Sequence, residues 1–377
     1  MRPSLKLSRR KAIYLSLGGV GFALASCTSP EPTPAPTTPA ASGTSKPTAS
    51  ASAPATSAQI AGGKSISLSG AGASFPAPLY QRWFSEFNKK YSNVQIGYQS
   101  VGSGAGVKQF IAGTVDFGAS DTAMKDDEIA KVTKGAVLVP VAAGSIVIAY
   151  NLPDVKEVKL SREVYSNIFL GKITKWNDPA IAKLNDGVKL PDTAISVVSR
   201  SDGSGTTGVF TKHLSAVSAE WKSGPGEGKS VQWPTGTGAK GNEGVAAAIQ
   251  QTAGAIGYIE YGYAVQNKIS FATIENKAGK YIKADPESGS KSLAVIDLPA
   301  NLIAFEPDPK GDGAYPIVSY TWLLLYKKYD DPNKAEAIKA MLDWALTEGQ
   351  KLSGELGYIP LPTEVVTKLK PAIATIS

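Results

Sequence analysis

The chain has 377 residues, 42% hydrophobic and 19% charged, with a formal net charge of +7, one cysteine and one histidine. This length predicts two domains, each large enough for a core of its own. A single cysteine excludes a disulfide framework and a cysteine-based metal cluster, and a single histidine excludes a histidine-rich zinc site. We therefore expect neither a metal nor another cofactor.

The positive charge belongs to the N-terminus. Residues 1–63 hold six Lys and Arg residues and one acid, which leaves 33 Lys and Arg against 31 acids, or +2, in the rest of the chain. A nearly neutral body carries no stripe of positive charge for a phosphate backbone. Nucleic acid is therefore not expected as a partner.

Residues 1–26 have the layout of a signal peptide, in which a basic segment precedes an apolar stretch over residues 12–25. That stretch is too short to span roughly 30 Å of hydrocarbon. The motif Leu24-Ala25-Ser26-Cys27 resembles the lipobox of bacterial lipoproteins, in which the cysteine is diacylated. Ordinary cleavage after Ala25 is the alternative, and Ser8-Arg9-Arg10 also resembles a twin-arginine export signal. We expect an exported protein, in the periplasm or at the cell surface, attached to the membrane through lipidated Cys27.

The segment after Cys27 consists mainly of Pro, Ala, Ser and Thr. From residue 28 to residue 63 it has two charged residues and no aromatic one. Such a segment cannot bury enough apolar surface to offset the entropy lost on ordering. Residues 27–63 are therefore predicted to be the lipidated cysteine and a disordered tether.

The body, from residue 64 onward, alternates short apolar runs with helical patterns. This alternation predicts an α/β fold with mostly parallel sheets. Strands are predicted at Ser65–Ser69, Val94–Val101, Val115–Ala119, Val137–Tyr150, Ile195–Arg200, Ala255–Tyr263 and Ile317–Tyr326. Helices are predicted at Pro76–Tyr91, Ala105–Ala112, Thr206–Leu214, Val245–Gln251 and Asn333–Glu348.

Two of these strands, Val137–Tyr150 and Ile317–Tyr326, are long and apolar and lie on either side of the middle of the chain. We interpret them as two crossings between two α/β lobes. Lobe I is then discontinuous, with residues 64–143 plus 314–377, and lobe II comprises residues 144–313. No tandem repeat is present.

Three loops rich in Gly and Ser follow predicted strands and precede predicted helices, at residues 69–76, 102–106 and 199–207. Each offers hydroxyl groups, backbone N–H groups and the positive end of a helix dipole, which together favour an anion. In the first loop Ser74 is predicted to cap the helix. Because the carboxyl ends of parallel strands share one sheet edge, the loops are expected to converge. None has the Gly-Lys-Ser/Thr ending of a nucleotide-binding P-loop.

Two charged side chains accompany these loops. Arg200 supplies a planar cation suited to an oxyanion, and an ion pair with Asp202 would hold it in place. Asp121 ends the run that begins at Val115. A carboxylate beside a bound anion is tolerated if the anion donates a proton to it, which phosphate can do and sulfate cannot. The alternative is that Asp121 caps a helix starting at Thr122.

Several motifs resemble the PstS-type phosphate-binding proteins of the bacterial high-affinity phosphate ABC importer. The most specific is Arg-Ser-Asp-Gly-Ser-Gly-Thr-Thr at 200–207 together with Val-Asp-Phe-Gly-Ala-Ser-Asp at 115–121. Further agreement covers nearly the whole body, at residues 70–80, 101–110, 168–176, 236–244 and 254–261.

The resemblance implies a type II periplasmic-binding-protein fold, with two α/β lobes that are joined by two crossing strands and close on one phosphate. It also implies a monomeric receptor that delivers phosphate to ABC permease subunits and catalyses no reaction. Carried over position by position, the phosphate-binding residues would be Ser74, Phe75, Ser103, Asp121, Arg200, Asp202, Ser204, Gly205 and Thr206. Asp121 would accept the proton of the phosphate, and Arg200 would bind its oxygens while paired with Asp202.

Two other functions remain open at this point. The first is an exported phosphohydrolase with Ser204 or Ser103 as nucleophile. It would depend on His213, the sole imidazole, which is predicted to lie about two turns along the helix and away from Ser204. The second is a receptor for another oxyanion, such as sulfate, molybdate or a phosphonate.

Overall fold

The computed structural model describes residues 58–377. The predicted signal peptide, Cys27 and most of the predicted tether lie outside the described residues. The sequence predicts that the tether extends to residue 63, and this boundary is wrong. Ile60 is buried, its N–H and C=O both bond to the Asn93 side chain, and Ala61–Gly63 form a turn of 3-10 helix. An apolar side chain with a place in the core thus orders the chain before residue 64.

The N-terminal part of the body alternates between strands and helices, as the sequence predicts. Its elements are β1 (Ile66–Gly72), α1 (Ala77–Lys90), β2 (Val94–Ser100), α2 (Ser103–Ile111), β3 (Phe117–Ser120), α3 (Asp126–Ile129) and the long β4 (Ala136–Tyr150).

The middle of the chain has more and shorter elements. The first of them are β5 (Lys159–Leu160), α4 (Arg162–Phe169), α5 (Pro179–Ala182), β6 (Ser196–Arg200), α6 (Gly205–Val217), α7 (Ala219–Ser223) and β7 (Thr237–Ala239). They are followed by α8 (Gly241–Gln251), β8 (Ala255–Glu260), α9 (Tyr261–Gln266), β9 (Ser270–Phe271), β10 (Thr273–Glu275), β11 (Tyr281–Ile282) and α10 (Pro286–Leu293). The C-terminal part contains β12 (Val318–Tyr326), α11 (Pro332–Leu346), α12 (Glu348–Ser353) and α13 (Thr363–Ala374).

The main sheet has the strand order β2-β1-β3-β12-β4-β8-β6-β7, and β9 also pairs with β4. Strands β1, β2 and β3 are parallel, as are β6, β7 and β8. β4 is antiparallel to both its neighbours and changes partner along its length, from β12 up to Ser145 to β8 from Ile146. The two α/β lobes therefore meet at the two long strands, which confirms the predicted fold class. The residue boundaries of the lobes stay a prediction.

The apolar stripes of the helices face the sheet. In α11 Ile338, Met341, Leu342 and Ala345 are all buried, and α1 buries Tyr80, Phe84 and Phe87. Within residues 58–377 no helix is long and apolar enough to cross a membrane.

One predicted strand is too long. The apolar run Ala255–Tyr263 leaves the sheet at Glu260, whose carboxylate accepts a hydrogen bond from the N–H of Gly262 and caps α9. The side chain of a buried acid, rather than a break in hydrophobicity, ends this strand.

The packing of α2 on β1 requires a glycine at position 106. A Cβ atom there would lie 2.4 Å from the Cα of Gly72 and 2.8 Å from the carbonyl oxygen of Ala71. We expect Gly106→Ala to lower the free energy of unfolding by about 1–3 kcal/mol, because the obstructing atoms belong to the backbone and cannot rotate away. Denaturant unfolding at constant pH measures the loss.

Gly354→Ala is the control for that substitution. Gly354 has a φ of −62° and no atom within 4 Å of an added Cβ, so its change in stability should stay within about 0.5 kcal/mol. Equal losses in the two variants would contradict the close approach of α2 to β1.

Candidate functional site

The three Gly- and Ser-rich loops lie together at the carboxyl ends of β1, β2 and β6, as predicted. The N–H of Gly104, after β2, donates to the carbonyl of Gly203, after β6, at 2.7 Å. A Cβ on Gly104 would lie 3.2 Å from the Cα of Gly203, so that side chains at these positions would hold the loops apart. We call the space that these loops and Asp121 surround the anion cage.

Asp121 follows β3 and is 1% exposed. Its Oδ1 accepts a hydrogen bond from Thr321 Oγ1 on β12 at 2.9 Å, and its Oδ2 lies 3.5 Å from Ser103 Oγ. The helix that Asp121 could have capped does not exist, because the next helix, α3, begins at Asp126. The carboxylate is therefore held by the crossing strand and directed into the cage.

Burial raises the pKa of Asp121 to about 7, although the hydrogen bond from Thr321 and the charge of Arg200 act in the opposite direction. A carboxyl group with this pKa exchanges its proton near neutral pH. In its ionised form it is an acceptor only, among groups that are mostly donors.

Arg200 and Asp202 form the predicted ion pair. Nε and Nη2 of Arg200 lie 2.7 and 2.6 Å from the two oxygens of Asp202, and the guanidinium is 1% exposed. Burial favours the neutral form of Asp202, but the bonds from Arg200 and from the N–H of Gly241 outweigh it and lower the pKa of Asp202. Because Nε and Nη2 bond to Asp202, Nη1 is the guanidinium nitrogen that faces Thr206, and it lies 3.5 Å from Thr206 Oγ1.

The N-terminus of α6 completes this side of the cage. Ser204 is the N-cap, and its Oγ accepts the N–H of Thr207 at 3.0 Å. The N–H groups of Gly205 and Thr206 precede the first hydrogen-bonded turn, so the helix itself does not use them. A Cβ on Gly205 would lie 2.3 Å from Ser103 Oγ and 2.5 Å from Asp121 Oδ2, so α6 starts directly against the carboxylate.

Ser74 and Phe75 lie on the opposite side and are both buried. Ser74 is not the cap of α1, whose N-cap is Pro76 without a side-chain bond. Its hydroxyl oxygen instead accepts hydrogen bonds from the N–H and the Nδ2 of Asn242, at 3.0 and 2.9 Å. The carbonyl of Phe75 accepts the Tyr358 hydroxyl at 2.7 Å, and the two rings pack edge to face. The structure thus brings the nine predicted binding residues near one another, with Asp202 bonded to Arg200. Their role in binding stays a prediction.

The sequence interpretation missed two residues of this network. Asn242 bonds to Ser74 and Thr206, and Thr321 bonds to Asp121. A signal for Thr321 was present, since Ser319 and Thr321 interrupt an otherwise apolar buried strand. Asn242 lies within the stretch 236–244 that carries the family resemblance, but nothing local points to its partners.

His213 is not available as a general base for the serines of the cage. It is fully buried, with Nε2 at 2.8 Å from the Tyr165 hydroxyl and Nδ1 at 2.7 Å from the carbonyl of Pro307. Burial lowers its pKa to about 4, so it is neutral at physiological pH. Both ring nitrogens serve the packing of α6 against α4 and the segment around residue 307. Among residues 58–377 no group of three or more His, Cys, Asp or Glu could hold a metal ion.

Two α/β lobes with an anion cage at their loops define a solute-binding protein, and comparison with protein families agrees. The family model described as "PBP superfamily domain" matches residues 37–348. Among curated proteins, the phosphate-binding protein PstS of Pasteurella multocida is 46% identical over 81% of this chain and 89% of its own length. That of Methanocaldococcus jannaschii is 39% identical over 80% and 84%. The chain belongs to the PstS family of phosphate-binding proteins.

Solved structures show the same fold at lower sequence identity. A phosphate-binding protein from Stenotrophomonas maltophilia superposes with a TM-score of 0.63 at 21% identity, covering 81% of this chain and 93% of its own. A high-affinity periplasmic phosphate-binding protein bound with phosphate, PfluDING, gives 0.66 at 20% identity over the same shares. At these identities the likeness concerns the fold alone.

The raised pKa of Asp121 predicts a pH-dependent stability. Between about pH 4 and pH 7 the native carboxyl holds a proton that the unfolded chain has lost, so its contribution to stability falls as the pH rises through this range. Relative to Asp121→Asn, the wild-type chain should lose on the order of 1–4 kcal/mol across the range. Urea unfolding of phosphate-free protein at several pH values measures this.

Among residues 58–377 Glu260 is another buried acid with a raised pKa, and it is present in both proteins. Its shift comes mainly from burial, and the charge of Asp121 is the smallest of its causes, so most of its contribution cancels in the difference. Parallel stability curves for the wild type and Asp121→Asn would show that Asp121 titrates as it does in an unfolded chain.

Proposed function

We propose that the chain is an extracytoplasmic receptor that captures inorganic phosphate in the anion cage and delivers it to the permease of an ABC importer. The observation that carries the proposal is the buried carboxylate of Asp121 among donors from three loops. A close anion without a proton would leave this carboxylate facing a like charge. An anion that keeps a proton near neutral pH can donate it to Asp121 instead.

In this proposal the remaining predicted residues supply donors. The hydroxyls of Ser74, Ser103, Ser204 and Thr206 and the N–H groups of Phe75, Gly205 and Thr206 would surround the phosphate oxygens. Arg200, paired with Asp202, would provide the positive charge, and the dipole of α6 would add to it. The names of the curated relatives support this assignment.

The lobe arrangement supports capture by hinge closure. Loops after β2 and β6 belong to different parallel groups of strands and touch at Gly104 and Gly203. We propose that lobe I (64–143 plus 314–377) and lobe II (144–313) separate about β4 and β12 to admit the anion and close to bury it. Lipidation at Cys27, export, and action as a monomer belong to the same proposal.

Phosphate and sulfate binding test the role of Asp121. We expect calorimetry to show tight phosphate binding and discrimination against sulfate of up to about 10⁴-fold, because sulfate has no proton to donate. Asp121→Asn should reduce this ratio strongly, since the amide can donate to either anion. The same titrations with molybdate and a phosphonate test the other oxyanions.

Asp308→Asn is the matched control, because Asp308 is a buried acid that pairs with Arg162 outside the cage. It should leave the phosphate-to-sulfate ratio unchanged. Similar affinities for the two anions in the wild type, or an unchanged ratio in Asp121→Asn, would refute the role of Asp121.

An assay for hydrolysis tests the enzymatic alternative. His213 has both nitrogens bonded within the core of lobe II, so Ser103 and Ser204 have no imidazole to activate them. We expect purified protein to release no phosphate from an aryl phosphate, with or without divalent metal ions. Turnover that is lost in Ser204→Ala or Ser103→Ala would overturn the assignment as a receptor.

A further inference from the structure

One buried amide connects the two sides of the cage to the long strands. Asn242, the second residue of α8, is fully buried. Its Nδ2 lies 2.9 Å from Ser74 Oγ in the first loop and 3.0 Å from Thr206 Oγ1 in α6. Its Oδ1 accepts the N–H of Glu260 at 2.9 Å, at the end of β8, where β8 pairs with β4. No other described side chain bonds to both Ser74 and Thr206.

The orientation of this amide is fixed by its neighbours. The N–H of Glu260 can only donate, so the atom of Asn242 that faces it is the oxygen. The NH₂ group therefore faces the two hydroxyls. A flip of the amide would bring its NH₂ group against the N–H of Glu260 and its oxygen against the two hydroxyls, and the bond to Glu260 would be lost.

The orientation of the Asn242 amide determines whether the hydroxyls of Ser74 and Thr206 donate or accept hydrogen bonds. Ser74 Oγ accepts two hydrogen bonds, from the N–H and the Nδ2 of Asn242. Thr206 Oγ1 accepts one from Asn242 and a longer one from Arg200. With their lone pairs engaged, both hydroxyls have only their hydrogen left to offer, and they can donate it to a third group.

We propose that Asn242 is a positioning residue for phosphate capture, which rests on the function proposed above. It does not touch the anion. It orients the hydroxyls of Ser74 and Thr206 as donors and ties the first loop to α6, so that the closed cage persists. Asn242 also bonds to the end of β8. The contact between the first loop and α6 and the direction in which the two hydroxyls donate therefore depend on the same side chain.

Asn242→Asp tests this inference with almost no change in shape. The carboxylate still accepts the N–H of Glu260, and a negative charge near the start of α8 is compatible with its dipole, so the variant should fold. Its other oxygen would take the hydrogens of Ser74 and Thr206 that the anion needs. We expect phosphate to bind on the order of 100-fold more weakly, with the loss mainly in a faster dissociation rate.

Asn185→Asp is the matched control. Asn185 is also buried, donates twice through Nδ2, to the carbonyls of Lys159 and Ile181, and accepts one backbone N–H through Oδ1. None of these partners belongs to the cage. The control should lower the melting temperature without changing phosphate affinity. Calorimetry, stopped-flow dissociation and thermal unfolding with and without phosphate are measured on all three proteins.

Phosphate affinity of Asn242→Asp equal to that of the wild type, or reduced no more than in Asn185→Asp, would overturn the inference. If the aspartate variant does not fold, Asn242→Ala carries no charge and suits a helix, and a loss below about 10-fold in that variant would be equally decisive against it. A wild-type chain without affinity for phosphate would instead refute the proposed function, and the inference with it.

Discussion

The cage is built around one buried carboxylate, Asp121, that is surrounded by hydrogen-bond donors. Asp121 is removed from water, and burial alone would keep it neutral. The hydroxyl of Thr321 and the charge of Arg200 offset part of that penalty, so that the group can still ionise near neutral pH. Arg200 is buried as well, and its charge is matched by Asp202 rather than by Asp121. Among the described residues no cation forms an ion pair with Asp121. The cage therefore keeps one acceptor, and the proposed selectivity for phosphate rests on it.

The topology of the sheet brings these groups together. Two sets of parallel strands end at a common edge, and β4 joins them, because it pairs first with β12 and then with β8. The acceptor is held by β12 through Thr321, while the cation and the helix dipole come from β6 and α6. Glycines at 104, 203 and 205 allow the loops to approach each other closely, because a side chain at these positions would lie against atoms of the neighbouring loop. A methyl group at position 205 would occupy the space that Ser103 and Asp121 now share.

A second feature of the cage is that Asn242 determines which of its hydroxyl groups donate hydrogen bonds. Hydroxyl groups are ambivalent, because each can donate or accept. A cage lined with unassigned hydroxyls would accommodate anions and neutral ligands alike. The amide of Asn242 removes that ambiguity for Ser74 and Thr206, and the N–H of Glu260 removes it for the amide. The N–H of Glu260 in β8 thus fixes the orientation of the Asn242 amide, and the amide in turn makes the hydroxyls of Ser74 and Thr206 donors toward the cage.

The amino-acid pattern alone was enough to predict the α/β class, the two crossing strands, the three anion-favouring loops and the Arg200–Asp202 pair, because each depends on local periodicity or on neighbours within a few residues. It did not determine that Ile60 belongs to the core, that Ser74 bonds to Asn242 instead of capping α1, or that Glu260 ends β8. Those outcomes depend on partners at large separations along the chain, such as Asn242 for Ser74 and Thr321 for Asp121. A hydroxyl or amide has many possible partners in a sequence, and only the folded arrangement of strands brings one of them within hydrogen-bonding distance.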